Sequence, residues 1–167
     1  MFYRLWRKMG HRTPLKSGHL PQPNTKLASP SPSFAVPELD FDPSFLERFD
    51  TEGLFDGQIS LLNHVETVDW TSCWQANLSS PLWQFNLHYF EYLLPLANRY
   101  LSSGNERYLL KAKELITLWI INNPQDKAGA AWDPYTISMR TVNWLAFSSE
   151  VASDLHDDQK FLTQVNE

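Results

Sequence analysis

The sequence contains little of what builds disulfide-linked, membrane-spanning or nucleic-acid-binding proteins. Its 167 residues include one cysteine, Cys73, which excludes an internal disulfide bond. Because Cys73 lies between Trp70 and Trp74, it is predicted to be a buried packing residue rather than a nucleophile. No stretch approaches the roughly 18 apolar residues that a membrane-spanning helix needs. The net charge of -5 argues against a nucleic-acid-binding face, although a local arginine can still hold an anionic ligand.

Cofactor and metal motifs are also missing. No glycine-rich phosphate loop, serine-nucleophile motif or metal-ligand spacing is found, and the run "DLHDD" at 154–158 is interpreted as a solvated helix end. The sequence therefore predicts neither a metal nor a cofactor. The N-terminal stretch "MFYRLWRKMGHRTPLKSGH" has no apolar segment typical of a signal peptide, so a cytoplasmic location is expected from the sequence.

Prolines are concentrated before residue 45, where seven of the eleven occur. Proline at this density blocks helices and central strands. We therefore expect an irregular lead-in over residues 1–45 and a folded domain over 46–167. Within that domain, "GQISLLNHVETVDW" predicts a short extended segment followed by a turn.

Three helices are predicted after residue 83. The first, 84–101, is apolar nearly all round, which is typical of a buried helix, and Pro95 should kink or break it. The second, 105–122, has one apolar stripe and one charged face. The third, about 135–153, should begin at Asp133-Pro134, which is typical of an N-cap and first helical position, and should be largely buried.

Two clusters of aromatic and polar residues lie at the starts of the first and third helices. Short loops make consecutive helices antiparallel, so the first and third should run parallel and flank the second. Their N-termini, "LWQFNLHYF" and "WDPYTISMRTVNW", would then meet at one end of the layer. Helix N-termini carry free N–H groups and a positive dipole end, which favour anions. This end of the layer is the predicted binding site.

The residues at this end allow both a functional and a structural interpretation. A buried Arg140 either grips a carboxylate or sulfate, or forms a salt bridge with Asp133, Glu91 or Glu150. Asn143 bonds either a sugar hydroxyl or a neighbouring backbone group. Aromatic residues make up 14% of the chain, which indicates either a core rich in large rings or a carbohydrate cleft in which rings stack on sugars. Trp132 and Tyr135 are candidate sugar platforms, and Trp144 is either core or platform.

His88 and Tyr89 are the only candidates for proton transfer. A lone histidine without an identified partner is more often structural, so His88 is first a candidate substrate contact together with Asn86. His64, in "LLNHVE", carries less functional weight than either.

The two segments "PLWQFNLHYFEYLLPLA" and "AWDPYTISMRTVNWL" resemble the N-terminal region of heparinase II/III-like polysaccharide lyases. The resemblance covers roughly residues 50–155. It implies an all-α fold made of antiparallel helical hairpins, which form part of an incomplete (α/α) toroid. It also implies β-elimination on uronate-containing polysaccharides, in which a base removes the C5 proton and an acid protonates the leaving oxygen.

The resemblance further implies that the family's main catalytic segment follows the matched region. We therefore expect an N-terminal fragment that is inactive alone and contributes substrate-binding residues, with the remainder of a split lyase chain as a partner. The implied ligand is an anionic polysaccharide, and export is the family-based alternative for location. The alternative functions are a non-catalytic glycan-binding or interaction module and a helical hydrolase or transferase. The candidate substrate-binding residues are Asn86, His88, Trp132, Tyr135, Arg140, Asn143 and Trp144.

Overall fold

Helices dominate the part of the chain that the computed structural model describes, which is residues 42–75, 80–124, 129–155, 158 and 161. These residues belong to a compact unit, Val36–Glu167. The predicted lead-in lies outside the described residues except for 42–45. The elements are α1 (Pro43–Leu46), a 3-10 turn (Gly53–Asp56), β1 (Gln58–Leu61), β2 (His64–Thr67), a 3-10 turn (Cys73–Gln75), α2 (Pro81–Leu87), α3 (Leu93–Ser103), α4 (Arg107–Asn122), a 3-10 turn (Ala130–Trp132), α5 (Pro134–Glu150) and α6 (Ala152–Leu155).

A small β-hairpin is the exception to the all-α prediction. Strands β1 and β2 pair antiparallel, with Leu61 opposite His64. The two turn residues, Leu62 and Asn63, both have positive φ, as the tight turn of a hairpin requires. The first strand was expected as an extended segment. The second was missed because its side chains are mostly exposed and give no buried alternation.

Gly57 lies just before this hairpin and needs to be glycine. Its φ is 76°, and a Cβ there would lie 2.3 Å from the carbonyl oxygen of Val68. The glycine lets the chain start β1 while its own carbonyl accepts a hydrogen bond from the Val68 N–H.

The prediction of one helix over 84–101 is wrong, because α2 ends at Leu87 and α3 begins at Leu93. Phe90, between them, has φ 63°, a left-handed conformation that ends helical geometry. Its fully buried ring stacks on Trp74, 5.6 Å between centroids, which offsets the strain. Pro95 falls in the first turn of α3, where a missing N–H costs nothing.

The helix α4 was predicted within two residues, and α5 begins at Pro134 as expected. The Asp133 carboxylate accepts a hydrogen bond from the Tyr135 N–H at 3.0 Å, which caps α5. However, α3 rather than α4 is the middle helix, since α3 packs against both α4 and α5. The reason is that α3 is buried along its first half, whereas α4 leaves both charged and apolar residues exposed, namely Arg107, Leu110, Glu114 and Ile121. Lys111, predicted on the charged face of α4, is buried.

The expectation that α5 is largely buried is also wrong. Its buried stripe is Thr136, Arg140, Asn143 and Phe147. Val142 and Leu145 are 63% and 66% exposed, and Ile137 is exposed as well. The helix therefore buries polar side chains and presents apolar ones. Arg140 donates to the carbonyl oxygen of Ala131 and lies over the ring of Trp119 on α4, and Asn143 donates to a carbonyl oxygen before α3.

No helix among the described residues is both long and apolar enough to cross a membrane.

Candidate functional site

Arg140 is buried inside a cage of three tryptophans. Its guanidinium carbon lies 3.9 Å from the ring centroid of Trp119, 5.4 Å from that of Trp132 and 5.9 Å from that of Trp144. Its Nη1 donates a hydrogen bond of 2.7 Å to the carbonyl oxygen of Ala131. Burial lowers the pKa of Arg140 to about 10, so the group is still charged at neutral pH. We call these four side chains the arginine cage.

Arg140 has no carboxylate partner in the described part of the chain. Glu91 instead pairs with Arg48 at 2.7 Å, and Asp133 caps α5. Glu150 forms no salt bridge with Arg140 either. The cage thus contains a cation that is 5% exposed and stabilised by indole faces and one carbonyl.

His88 lies beneath the cage as a core residue, 1% exposed. Its Nδ1 accepts a hydrogen bond of 2.9 Å from the Trp119 indole N–H, so the neutral ring carries its proton on Nε2. Burial, and then the charge of Arg140, lowers the pKa of His88 to about 4. His88 therefore positions Trp119. Its predicted contact with substrate or protons stays a prediction.

Two asparagines serve the scaffold. Asn143 is buried and its Nδ2 donates to the carbonyl oxygen of Tyr89 at 2.8 Å, which ties α5 to the segment between α2 and α3. Asn86 is half-buried and its Nδ2 donates to the carbonyl oxygen of Leu82 at 2.8 Å. Their predicted glycan contacts stay predictions.

Tyr89 and Tyr135 form an accessible aromatic pair beside the first turn of α5. Their rings meet edge to face, with centroids 5.7 Å apart, and Tyr135 is 62% exposed. Burial, with the nearby Tyr135, Asp133 and Glu91, raises the pKa of Tyr89. Its hydroxyl is therefore protonated at neutral pH. We call these two residues the tyrosine pair.

The structure brings the two predicted clusters together. The tyrosine pair joins one residue from each cluster, and so does the bond between Asn143 and Tyr89. Two contributors were missed by sequence reasoning: Trp119, which was assigned to the apolar stripe of α4, and Thr136, a fully buried hydroxyl without a hydrogen-bond partner among the described residues. No periodicity distinguishes a core tryptophan from one that stacks on an arginine.

Other residues that the sequence analysis named also lie within the described part of the chain. Cys73 is buried, and burial raises its pKa to about 12, as expected for a packing residue. His64 is exposed on the hairpin, beside Glu66. The stretch 154–158 is only partly described, and there Asp158 pairs with Lys113. Within the described ranges, no group of three or more His, Cys, Asp or Glu side chains could hold a metal ion.

A groove of about 380 Å³ lies elsewhere, between α1 and the middle of α3. Its walls include Phe49, Thr51, Pro95 and Arg99. None of the predicted site residues lines it.

Residues 45–167 match the family model described as heparinase II/III N-terminus. The match includes α2 to α6 and therefore both the arginine cage and the tyrosine pair. Neither a curated protein nor a solved structure matches the chain.

Proposed function

The chain belongs to the heparinase II/III N-terminus family, and from this premise we propose that its helices form the glycan-binding side of a polysaccharide lyase that cleaves acidic glycans by β-elimination. The helices would form part of an (α/α) toroid that is completed by other elements. The observation that carries the proposal is the tyrosine pair, whose Tyr135 is 62% exposed, on the same helix as a buried arginine that has no carboxylate partner in the described chain.

The tyrosine pair has the chemistry of a sugar platform. A phenol ring packs against the apolar C–H face of a pyranose, and its hydroxyl hydrogen-bonds to sugar oxygens. Tyr135 is held by the first turn of α5 and by Tyr89, so little side-chain freedom is lost on binding.

Arg140, which has no carboxylate partner among the described residues, favours an acidic glycan. A buried cation without a counter-charge is costly, and an incoming carboxylate or sulfate offsets that cost. The chain as a whole is negative, with a net charge of -5, and so repels polyanions at long range. Any affinity for an acidic polymer must therefore come from a local site.

The removal of the C5 proton in β-elimination is assigned to a group outside this site. A base must remove the C5 proton, and neither described candidate suits that role. His88 is enclosed and bonded to Trp119, and the raised pKa of Tyr89 keeps its hydroxyl protonated. The chain alone is then a binding unit without a complete set of catalytic groups.

The outward face of α5 is the proposed contact for the remainder of the lyase. Val142 and Leu145 lie there among serine and threonine side chains, and neither charged residue of α5 is on this face, since Arg140 is buried and Glu150 is half-buried. A helix with apolar residues on every side is normally covered on every side.

Tyr135→Ala is expected to weaken binding to an acidic polysaccharide by roughly tenfold, because the loss of one sugar-stacking ring removes about 1.4 kcal/mol. The measurement is a titration of the full chain with alginate and heparan sulfate. The thermal unfolding midpoint should change little, since the ring is 62% exposed.

Val142→Ala is the matched control, because Val142 is 63% exposed on the same helix and does not belong to the tyrosine pair. It should leave the affinity unchanged. Equal affinities for wild type and Tyr135→Ala would remove the tyrosine pair from the binding site.

The chain alone is expected to produce no unsaturated uronate product from alginate, heparan sulfate or a glucuronan. Ultraviolet absorbance of the product's double bond measures this directly. Turnover by the chain alone would contradict the assignment of the base to another part of the enzyme. Binding that stays non-catalytic even beside the remainder of a lyase would instead favour a non-catalytic glycan-binding module.

A further inference from the structure

Two tryptophan N–H groups in the arginine cage have no acceptor within the described ranges. Six tryptophans are described, and the indole N–H groups of four of them donate hydrogen bonds: Trp70 to Leu54, Trp74 to Trp70, Trp83 to His64 and Trp119 to His88. The Nε1 atoms of Trp132 and Trp144 are fully buried and have no partner among the described residues. Both exceptions belong to the arginine cage.

A third donor without a partner lies on the same helix. Thr136 is 0% exposed, and its hydroxyl has no hydrogen-bond partner in the described chain. It precedes Arg140 by about one turn on the buried stripe of α5, so the two side chains share a face. The other buried unpartnered atom, Gln84 Oε1, is an acceptor beside His88 and does not belong to this group.

Buried donors without acceptors are rare, because leaving a polar group desolvated costs more than a formed hydrogen bond contributes. The two indole N–H groups and the Arg140 guanidinium can only donate, and the Thr136 hydroxyl can donate as well as accept. The partner that satisfies such a group is negatively charged and rich in acceptor oxygens.

We propose that Trp132, Thr136, Arg140 and Trp144 form a subsite for one oxyanion group, a carboxylate or a sulfate ester, of an acidic sugar. The inference deepens the proposed glycan-binding function and rests on it. The first turn of the 17-residue helix α5 adds its positive dipole end at Thr136, the third residue of the helix.

The subsite makes recognition depend on charge. A neutral sugar leaves Arg140 without a counter-charge, whereas an oxyanion accepts from the indoles and the hydroxyl and neutralises the guanidinium. Because Arg140 is 5% exposed, only a small group can enter, which fits one carboxylate or sulfate better than a whole ring.

The test uses the full chain labelled with nitrogen-15 and observes the indole N–H resonances. The probes are methyl glucuronide, glucose 6-sulfate and the neutral methyl glucoside. We expect the Trp132 and Trp144 resonances to move with either charged probe and to stay in place with the neutral one. The resonances of Trp70 and Trp74, whose N–H groups are already bonded, should not move. Comparison of the two charged probes distinguishes a carboxylate site from a sulfate site.

Thr136→Val is the main variant, because it removes the hydroxyl and preserves the shape. Its affinity for the preferred charged probe should fall roughly tenfold, since a hydrogen bond to a charged group is lost. Without ligand its unfolding midpoint should equal or exceed that of wild type, because an unsatisfied group is removed. Thr51→Val, at another buried threonine, is the control and should leave the affinity unchanged.

Trp144→Phe is a second test of the subsite in case Thr136→Val misfolds. It should weaken binding of the charged probe in the same way. Unmoved Trp132 and Trp144 resonances, or affinities unchanged in Thr136→Val and Trp144→Phe, would overturn the subsite. A lower unfolding midpoint of ligand-free Thr136→Val would also overturn it, because the hydroxyl would then have an internal partner. If acidic polysaccharide still binds and still depends on Tyr135, the proposed function stands while the subsite fails.

Discussion

Arg140→Met is expected to keep the chain folded while lowering its affinity for acidic polysaccharide at least about tenfold. Arg140→Ala should lower that affinity as well and should also cost about 3 kcal/mol of unfolding free energy or more, because it leaves a cavity among three indole rings. The methionine should cost no more than about 1 kcal/mol. Urea denaturation and polysaccharide titration of both variants measure the two effects separately.

The physical reason is that Arg140 is buried without a carboxylate in the described chain. Replacement of a buried charge by an apolar side chain of similar volume is often neutral, because the desolvation penalty disappears. A methionine fills the space over Trp119 and gains sulfur–aromatic contacts, which offset the lost hydrogen bond to Ala131. A buried charge that costs desolvation free energy is expected where the charge binds a ligand.

Arg140→Lys is the companion variant. It keeps the charge but loses the planar group that stacks on Trp119, so its affinity should fall between those of wild type and Arg140→Met. If Arg140→Met loses as much stability as Arg140→Ala, the arginine is needed to stabilise the fold, and the argument for an anion partner fails.

Acid is expected to destabilise the chain through His88. The folded-state pKa of His88 is about 4, against 6.5 for the free side chain, and burial is the main cause. A difference of this size corresponds to up to roughly 3 kcal/mol. Protonation would also break the bond that Nδ1 accepts from Trp119 and place a second cation near Arg140.

The lowered pKa of His88 determines whether acid raises or lowers the stability of the fold. Between pH 6.5 and about 4, His88 is protonated in the unfolded chain but not in the folded chain. The free energy of unfolding therefore decreases as the pH falls through this range. Above pH 6.5 His88 is neutral in both states, so its contribution to the free energy of unfolding no longer changes with pH. The carboxyl groups with lowered pKa, Asp42 and Asp69, act only at more acidic pH.

His88→Gln should flatten this dependence, because a glutamine oxygen can accept from Trp119 and does not titrate. His64→Gln is the control, since His64 is exposed on the hairpin. Urea denaturation at a series of pH values provides the comparison. A slope that survives in His88→Gln would show that another group causes the acid sensitivity.

Sequence reasoning placed those elements whose signals are local. The cap at Asp133, the first-turn Pro134 and the two-sided pattern of α4 each depend on a few neighbouring residues, and each was found. The break between α2 and α3 was not found, because it depends on the left-handed Phe90, whose cost is offset only by stacking on Trp74. That contact is made in the folded chain and leaves no periodic pattern.

Some features of the candidate site were likewise predictable from the sequence, and others were not. That the two clusters meet was predictable, and the tyrosine pair confirms it. Which face of α5 points inward was not, because backbone carbonyl oxygens outside α5 accept from Arg140 and Asn143, which a hydrophobic pattern would turn outward. Arg140 and Asn143 are therefore buried, whereas Ile137 and Val142 are exposed.

The most direct test of the account is the affinity of the full chain for an acidic polysaccharide and for the same polymer with its carboxyl groups reduced and its sulfate groups removed. Alginate, heparan sulfate and a glucuronan provide such pairs, and calorimetric titration compares them. We expect at least one acidic polymer to bind and its neutral form to bind at least about tenfold more weakly, as the loss of one charged contact requires. Equal affinity within every pair, or no binding to any acidic polymer, would contradict the assignment of this family member to acidic-glycan recognition.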